Sequence, residues 1–335
     1  MSLRTRLAAG VAGAAVLVTA LAACSSSANS SSGNSTNGNK AASSSPTTIT
    51  VGTSGATGVY LPLYVGVQTG LFKKYGLNVN VQTLTPAAVT AATLSDNINI
   101  GWDGPGLVGG ILGNPSAKVI FTAGRTALFL YARKGITSVA DLKGKTVAVT
   151  TPGGAIDTAV RAAITQAGMT PGVDVKIAYL QTNSAALAAT ETGSVQAAGI
   201  SPPTTIQATQ AGLVDIENIT DLSAPSTLAV NSQWAASNGA AITKFITAFK
   251  AAVQLTASNE ADASAALETY VKLTNSSQIS GTWSEYKSIW VVEPYPTDQM
   301  QAILHGLATS NPPVKSAETA KPSDVIDNQY ITAVG

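Results

Sequence analysis

The chain is 335 residues long with a formal net charge of +1, and 11% of its residues are charged, where about 25% is usual for a soluble domain. One cysteine and one histidine exclude an intrachain disulfide and a His/Cys zinc cage, and any Cys-His or Ser-His catalysis has to run through His305. Near-neutral charge without a basic block argues against nucleic acid as a partner, because that affinity rests largely on neutralised phosphates.

In chain order, Arg4 and Arg6 precede an uncharged run from Leu7 to Ala23, and residues 1–23 read as a secretory signal. The run's 17 residues, rich in Ala and Gly, lie at the lower edge of what spans a bilayer. It ends in Leu21-Ala22-Ala23-Cys24, which resembles the lipobox of bacterial lipoproteins, where the cysteine is acylated and becomes the first residue. The resemblance implies lipidation of Cys24 by acyl chains such as palmitate, and a mature chain whose formal charge falls from +1 to −1 with the loss of Arg4 and Arg6. Each buried methylene contributes about 0.8 kcal/mol, so several acyl chains hold a domain at the membrane. The other reading is an incidental cysteine after an ordinary secretory signal. Residues 24–46 are then a disordered tether: Ser, Asn, Gly, Thr and Ala dominate, Lys40 is the only charge, and nothing there can build a core. A coil of that length spans roughly 25 Å.

From residue 48, short apolar runs alternate with amphipathic segments. Strands are predicted at 49–51, 77–82, 98–102 and 118–122, with helices at 61–70, 87–94 and 107–112. The series restarts after Asp141 with strands at 146–149, 175–179 and 197–200 and helices at 156–168 and 185–192. Such alternation predicts α/β architecture with mostly parallel sheets and helices on both faces. Two apolar stretches, 127–132 and 227–230, bound the second series and are candidate hinge crossings. Beyond Ser232 the pattern is helical, at 242–258, 261–273 and 297–309, and no short repeat suggests a solenoid.

Pro62-Leu63-Tyr64 followed by Gly70-Leu71-Phe72-Lys73-Lys74-Tyr75-Gly76-Leu77 resembles the signature of the substrate-binding proteins of nitrate, sulfonate and taurine ABC importers, a family that also includes binders of thiamine pyrimidine precursors. Ile136-Thr137-Ser138-Val139-Ala140-Asp141-Leu142-Lys143-Gly144-Lys145-Thr146-Val147-Ala148-Val149 is similar to the family's opening of the second lobe. Asn97-Ile98-Asn99-Ile100 and Gly193-Ser194-Val195-Gln196-Ala197 resemble two further motifs, with Asn99 and Gln196 where the family usually has Asp. The resemblance implies a type II periplasmic-binding-protein fold: two α/β lobes joined by two crossover strands, with a ligand cleft between them. Lobe I is then 47–130 and 231–335, and lobe II is 131–230. The two amides imply lobe-to-lobe or ligand contacts that differ from those of better-known members.

In open α/β sheets ligands collect beyond the carboxyl ends of strands, where helix N-termini offer free N–H groups. That rule selects the loop after the first strand, with Ser54, Thr57 and Tyr60, whose ring can stack on a ligand or pack in the core. It selects Trp102 and Asp103 after the third strand, an aromatic face and a carboxylate for a planar or positively charged group. Arg125 follows the next strand and can grip an anion or pair with Asp103. In the second lobe the rule selects Thr151, Gly153 and Gly154, an anion-cradling turn or a plain one, and Ser201 beside two prolines. Asp157 reads as a dipole partner of its helix, and Trp234 and Trp290 as packing.

The expected function is a lipid-anchored, monomeric solute-binding protein at the outer face of the plasma membrane. It delivers a small organic molecule, either a sulfonate-, nitrate- or taurine-like anion or a heterocyclic precursor, to an ABC permease and its ATPase. The chain has no Gly-x-x-x-x-Gly-Lys-Ser/Thr loop, so ATP belongs to the partner. No metal, cofactor or catalytic residue is expected. A sensory lipoprotein of the same fold is the alternative. A pyrimidine-synthase-like enzyme is disfavoured, because the relatives that make a pyrimidine carry a cysteine-rich motif that is missing here.

Overall fold

The computed structural model describes residues 46–310 and 312–335; the secretory signal, Cys24 and the tether up to residue 45 lie outside the described residues. The chain opens with β1 (Thr47–Ser54), α1 (Leu61–Gln68), α2 (Leu71–Lys74), β2 (Leu77–Leu84), α3 (Pro86–Leu94), β3 (Ile100–Asp103), α4 (Pro105–Gly113) and β4 (Ala117–Gly124). It continues through β5 (Phe129–Ala132), β6 (Thr146–Val149), α5 (Ala155–Gln166), β7 (Lys176–Tyr179), α6 (Asn183–Thr192), β8 (Ala197–Ile200), α7 (Thr204–Gln210) and β9 (Val214–Asn218). It returns with β10 (Thr227–Asn231), α8 (Ser232–Ser258), α9 (Glu260–Ala266), α10 (Ser276–Tyr286), β11 (Trp290–Glu293), α11 (Thr297–Ala308), α12 (Pro322–Val325) and α13 (Gln329–Thr332). Among the described residues no helix is long and apolar enough to cross a membrane.

The strands form two sheets, ordered β11-β4-β10-β3-β1-β2 and β7-β6-β8-β5-β9. β1 is parallel to β2 and β3, and β6 is parallel to β7 and β8, as the strand-helix alternation predicts. Two central strands run the other way: β10 is antiparallel to β3 and β4, and β5 is antiparallel to β8 and β9. Each is the first strand after the chain has crossed from the other sheet, so it enters from the opposite end.

The stretches expected to be hinge crossings are these strands. An apolar run buried on both faces is a central strand, and all five residues of β10 and the last three of β5 are buried. The lobe boundaries expected at 130/131 and 230/231 therefore fall inside β5 and β10. By sheet membership they move to residues 125–128 and 219–226, the two segments that connect the sheets.

Each sheet has its own core. In lobe I, α8 packs Phe245 and Phe249 beneath the sheet, with Phe72 stacked on Phe245 at 5.5 Å and Phe249 edge-on to Trp102 at 5.4 Å. In lobe II, Leu130, Val147 and Val149 of the sheet pack on Val160 and Ile164 of α5. Asn99 and Gln196 have one role in both lobes. Asn99 Oδ1 accepts the Thr50 N–H at 2.8 Å at the start of the β1–β3 pair, and Gln196 Oε1 accepts the Thr146 N–H at 3.0 Å at the start of the β6–β8 pair. They close parallel ladders within a lobe, so the expectation that they alter contacts between lobes or to a ligand is corrected. A neutral amide oxygen accepts that N–H as a carboxylate would.

Candidate functional site

The carboxyl ends of β1, β3, β6 and β8 converge on a cavity of about 560 Å³ lined from both sheets. Nine of the residues selected from the sequence line it: Ser54, Thr57, Tyr60, Trp102, Asp103, Thr151, Gly153, Gly154 and Ser201. From lobe I, the turn after β1 presents Ser54 and Tyr60. The Ser54 N–H donates to the Tyr60 hydroxyl oxygen at 3.2 Å, and the two hydroxyls are 2.7 Å apart. Tyr60 both packs and lines the cavity. Its ring is 4% exposed and stands edge-on to Trp102 at 4.9 Å. Burial holds its hydroxyl well above the ordinary tyrosine range against the opposing bond with Ser54, so it remains a protonated donor at neutral pH.

Asp103 ends β3 and directly precedes Gly104, the N-cap of α4. The Thr227 hydroxyl donates to its backbone carbonyl at 3.0 Å, while its carboxylate has no hydrogen-bond or ion-pair partner among the described residues. Among the described residues it is the only charged side chain lining the cavity. Across the cleft, Gly153 takes a left-handed conformation (φ 71°) that brings the chain from β6 into α5. Its N–H donates to the buried Asp157 carboxylate at 2.9 Å, and Arg161 Nε donates to the same group at 2.7 Å. The helix end that faces the cavity thus already holds an internal anion, as the dipole-partner reading of Asp157 expects. Ser201 Oγ accepts from Asn183 Nδ2 at 2.7 Å.

Arg125 is not part of this cavity. It lies in the outgoing crossing and lines a separate space of about 450 Å³ with Asp221, Glu285 and Glu293. Its guanidinium donates to the Ser223 carbonyl in the returning crossing and stands 3.9 Å from Asp221. The expected pair with Asp103 is therefore corrected, and so is the placement of Arg125 with the other selected residues. A residue directly after the positive-φ turn at Gly124 is carried into the connection between sheets, where the nearest acceptors belong to the second crossing. His305 is exposed on α11 and lines neither cavity. Trp290 is buried and Trp234 half-buried, both in lobe I packing. No group of three or more His, Cys, Asp or Glu side chains that could hold a metal stands together among the described residues.

Ser226 and Tyr286 also line the cavity and were missed from the sequence. Ser226 precedes β10, which is antiparallel to its neighbours, so the amino end of this strand meets their carboxyl ends. A rule that inspects carboxyl ends passes over it. Tyr286 arrives on α10 from far along the chain, and no local pattern marks it.

A model of the family described as NMT1/THI5 like matches residues 58–263. No curated protein matches the sequence. Among solved structures, the chain is similar to the periplasmic aliphatic sulphonate binding protein SsuA from Escherichia coli. The identity is 22% and the TM-score 0.65, over 78% of this chain and 86% of that one. It is also similar to the periplasmic nitrate-binding protein NrtA from Synechocystis PCC 6803, at 16% identity and TM-score 0.67 over 86% and 88%. A third is the alkanesulfonate-binding protein SsuA from Xanthomonas axonopodis pv. citri bound to MOPS, at 17% identity and TM-score 0.63 over 83% and 96%. These likenesses establish the periplasmic-binding-protein fold.

Proposed function

The chain belongs to the NMT1/THI5-like family, and from that premise we propose that it is an extracytoplasmic solute-binding protein that delivers a small organic molecule to an ABC importer. The observation that carries the reading is the cavity on which the carboxyl ends of β1, β3, β6 and β8 converge from the two sheets. A cleft so built closes on its ligand when the ligand binds the closed form more tightly than the open one.

The ligand presents a cation or a hydrogen-bond donor. Among the described residues Asp103 is the only charged group in the cavity wall, and it stands there without a partner just before α4. The α5 end opposite is compensated by Asp157, and Arg125 is engaged elsewhere. Removing water from an unpaired carboxylate is costly, so a ligand that supplies the missing charge or donor recovers that cost and an anion adds to it. This favours the amine-bearing or heterocyclic alternative over a sulfonate or nitrate.

The test is isothermal titration of the protein with benzylammonium and benzenesulfonate at pH 7, followed by Asp103→Asn. Benzylammonium is expected to bind and to lose at least tenfold in affinity in the variant. Binding of benzenesulfonate alone would overturn the charge assignment. Anchoring through acylated Cys24, a monomeric state and a location at the outer face of the plasma membrane belong to the same proposal. Cys24→Ser is expected to move the protein from the membrane to the soluble fraction in its native host.

A further inference from the structure

Five buried side-chain polar atoms lack a hydrogen-bond partner among the described residues: Trp102 Nε1, Asn183 Oδ1, Ser226 Oγ, Ser232 Oγ and Thr282 Oγ1. Of the residues that carry them, Trp102 and Ser226 line the cavity between the lobes and the other three do not. Burying such an atom unpaired forfeits its hydration with nothing in return, so each calls for a partner that the polypeptide does not supply.

The register of the sheet brings the two residues together. β10 pairs antiparallel with β3, with Leu228 opposite Trp102 and Thr227 opposite Asp103. Continuing the alternation by one residue puts Ser226 beside Gly104, on the Trp102 face and diagonal to the indole. Trp102 cannot turn away to find a partner. It is 1% exposed and held edge-on by Tyr60 at 4.9 Å and Phe249 at 5.4 Å. An indole N–H is only a donor, and a serine hydroxyl can donate.

We infer that Trp102 and Ser226 form a donor pair that reads a hydrogen-bond acceptor on the captured solute, beside the group that Asp103 receives. This rests on the solute-capture reading and sharpens it. The ligand then carries two unlike functions close together, a cationic or donor group for Asp103 and a carbonyl oxygen or acceptor nitrogen for the pair. A simple alkylammonium satisfies the first and leaves both buried atoms unpaired. A site built to hydrogen-bond a group discriminates strongly against analogues that lack it.

The experiment is isothermal titration of the full chain at pH 7 with benzylammonium and with 4-(aminomethyl)benzamide, which adds a carbonyl acceptor. Wild type is expected to prefer the amide by about tenfold, the value of one well-made hydrogen bond. Ser226→Ala and Trp102→Phe are each expected to reduce that preference below threefold. Trp102→Phe leaves space in the core and can fail to fold, and Ser226→Ala carries the test alone in that case. The same preference in wild type and Ser226→Ala, or no preference in wild type, overturns the donor pair and leaves solute capture standing. Binding of benzenesulfonate but neither amine overturns the pair together with the charge assignment. Binding of none of the three overturns solute capture as well.

Discussion

Asn99 and Gln196 occupy equivalent places in the two lobes, each one residue before the third strand of its parallel series, and each replaces a ladder bond with a side-chain carbonyl. Asn99→Ala and Gln196→Ala are each expected to cost about 1 kcal/mol of stability, read as a lower urea midpoint with an unchanged slope, whereas Asn99→Asp keeps the acceptor and most of the stability. Asp157 bears more. It is 3% exposed, accepts from Gly153 and Arg161, and lies in the first turn of α5. Asp157→Ala leaves the Gly153 N–H and Arg161 Nε without their acceptor, while Arg161 Nη2 keeps its bond to the Tyr179 hydroxyl oxygen, and is expected to destabilise by about 1–3 kcal/mol. Asp157 was legible as a dipole partner because an acidic residue just inside a predicted helix has a local cause. The unpaired state of Asp103 was not legible, since it depends on where Arg125 goes.

At the scale of elements, strands with apolar runs and helices with clear periodicity stood out from the sequence: β6 and β8 match their predicted spans residue for residue. α8 begins ten residues before the predicted span. Asn238 breaks its periodicity with a non-helical φ of −129° while its side-chain amide donates to the Trp234 carbonyl at 2.8 Å, the acceptor that the kink frees. α7, β9, α10 and β11 went unread because they are short or polar, and β9 and β11 are edge strands with one neighbour each. α7 and α10 nevertheless join the lobes. The Thr205 hydroxyl donates to the Glu285 carboxylate at 2.7 Å, and a Cβ placed on Gly281 would stand 2.4 Å from Ile206 Cγ1. Gly281→Val is therefore expected to push α7 from α10 and raise the radius of gyration of the ligand-free protein in small-angle scattering, with each lobe's secondary structure intact by circular dichroism.

For the whole molecule, this inter-lobe contact has a pH signature. Burial raises the Glu285 carboxyl, with Asp215 adding to the shift, and burial likewise raises Asp215. A folded carboxyl with a raised pKa binds more protons than the unfolded chain does. Its contribution is therefore fully present below the ordinary carboxylate range and is lost as pH rises through the raised value. Thermal unfolding of Glu285→Gln should accordingly lose less stability than wild type as pH rises above about 4.5, the ordinary glutamate value. An equal loss in both proteins would remove Glu285 from the account.

By itself the sequence determined the α/β alternation, the two-lobed fold implied by its motifs, and nine residues of one cavity, because these follow from local periodicity and from the rule that strand ends collect ligands. Only the tertiary structure decided the sheet direction of β5 and β10, the place of Arg125, and the arrival of Ser226 and Tyr286. Those depend on which end of a sheet the chain enters after a crossing, and nothing within a few residues of each position encodes that. The sparse charge of the opening composition acquires its meaning there. With few charged side chains in the chain, one unpaired carboxylate sets the sign of the cavity.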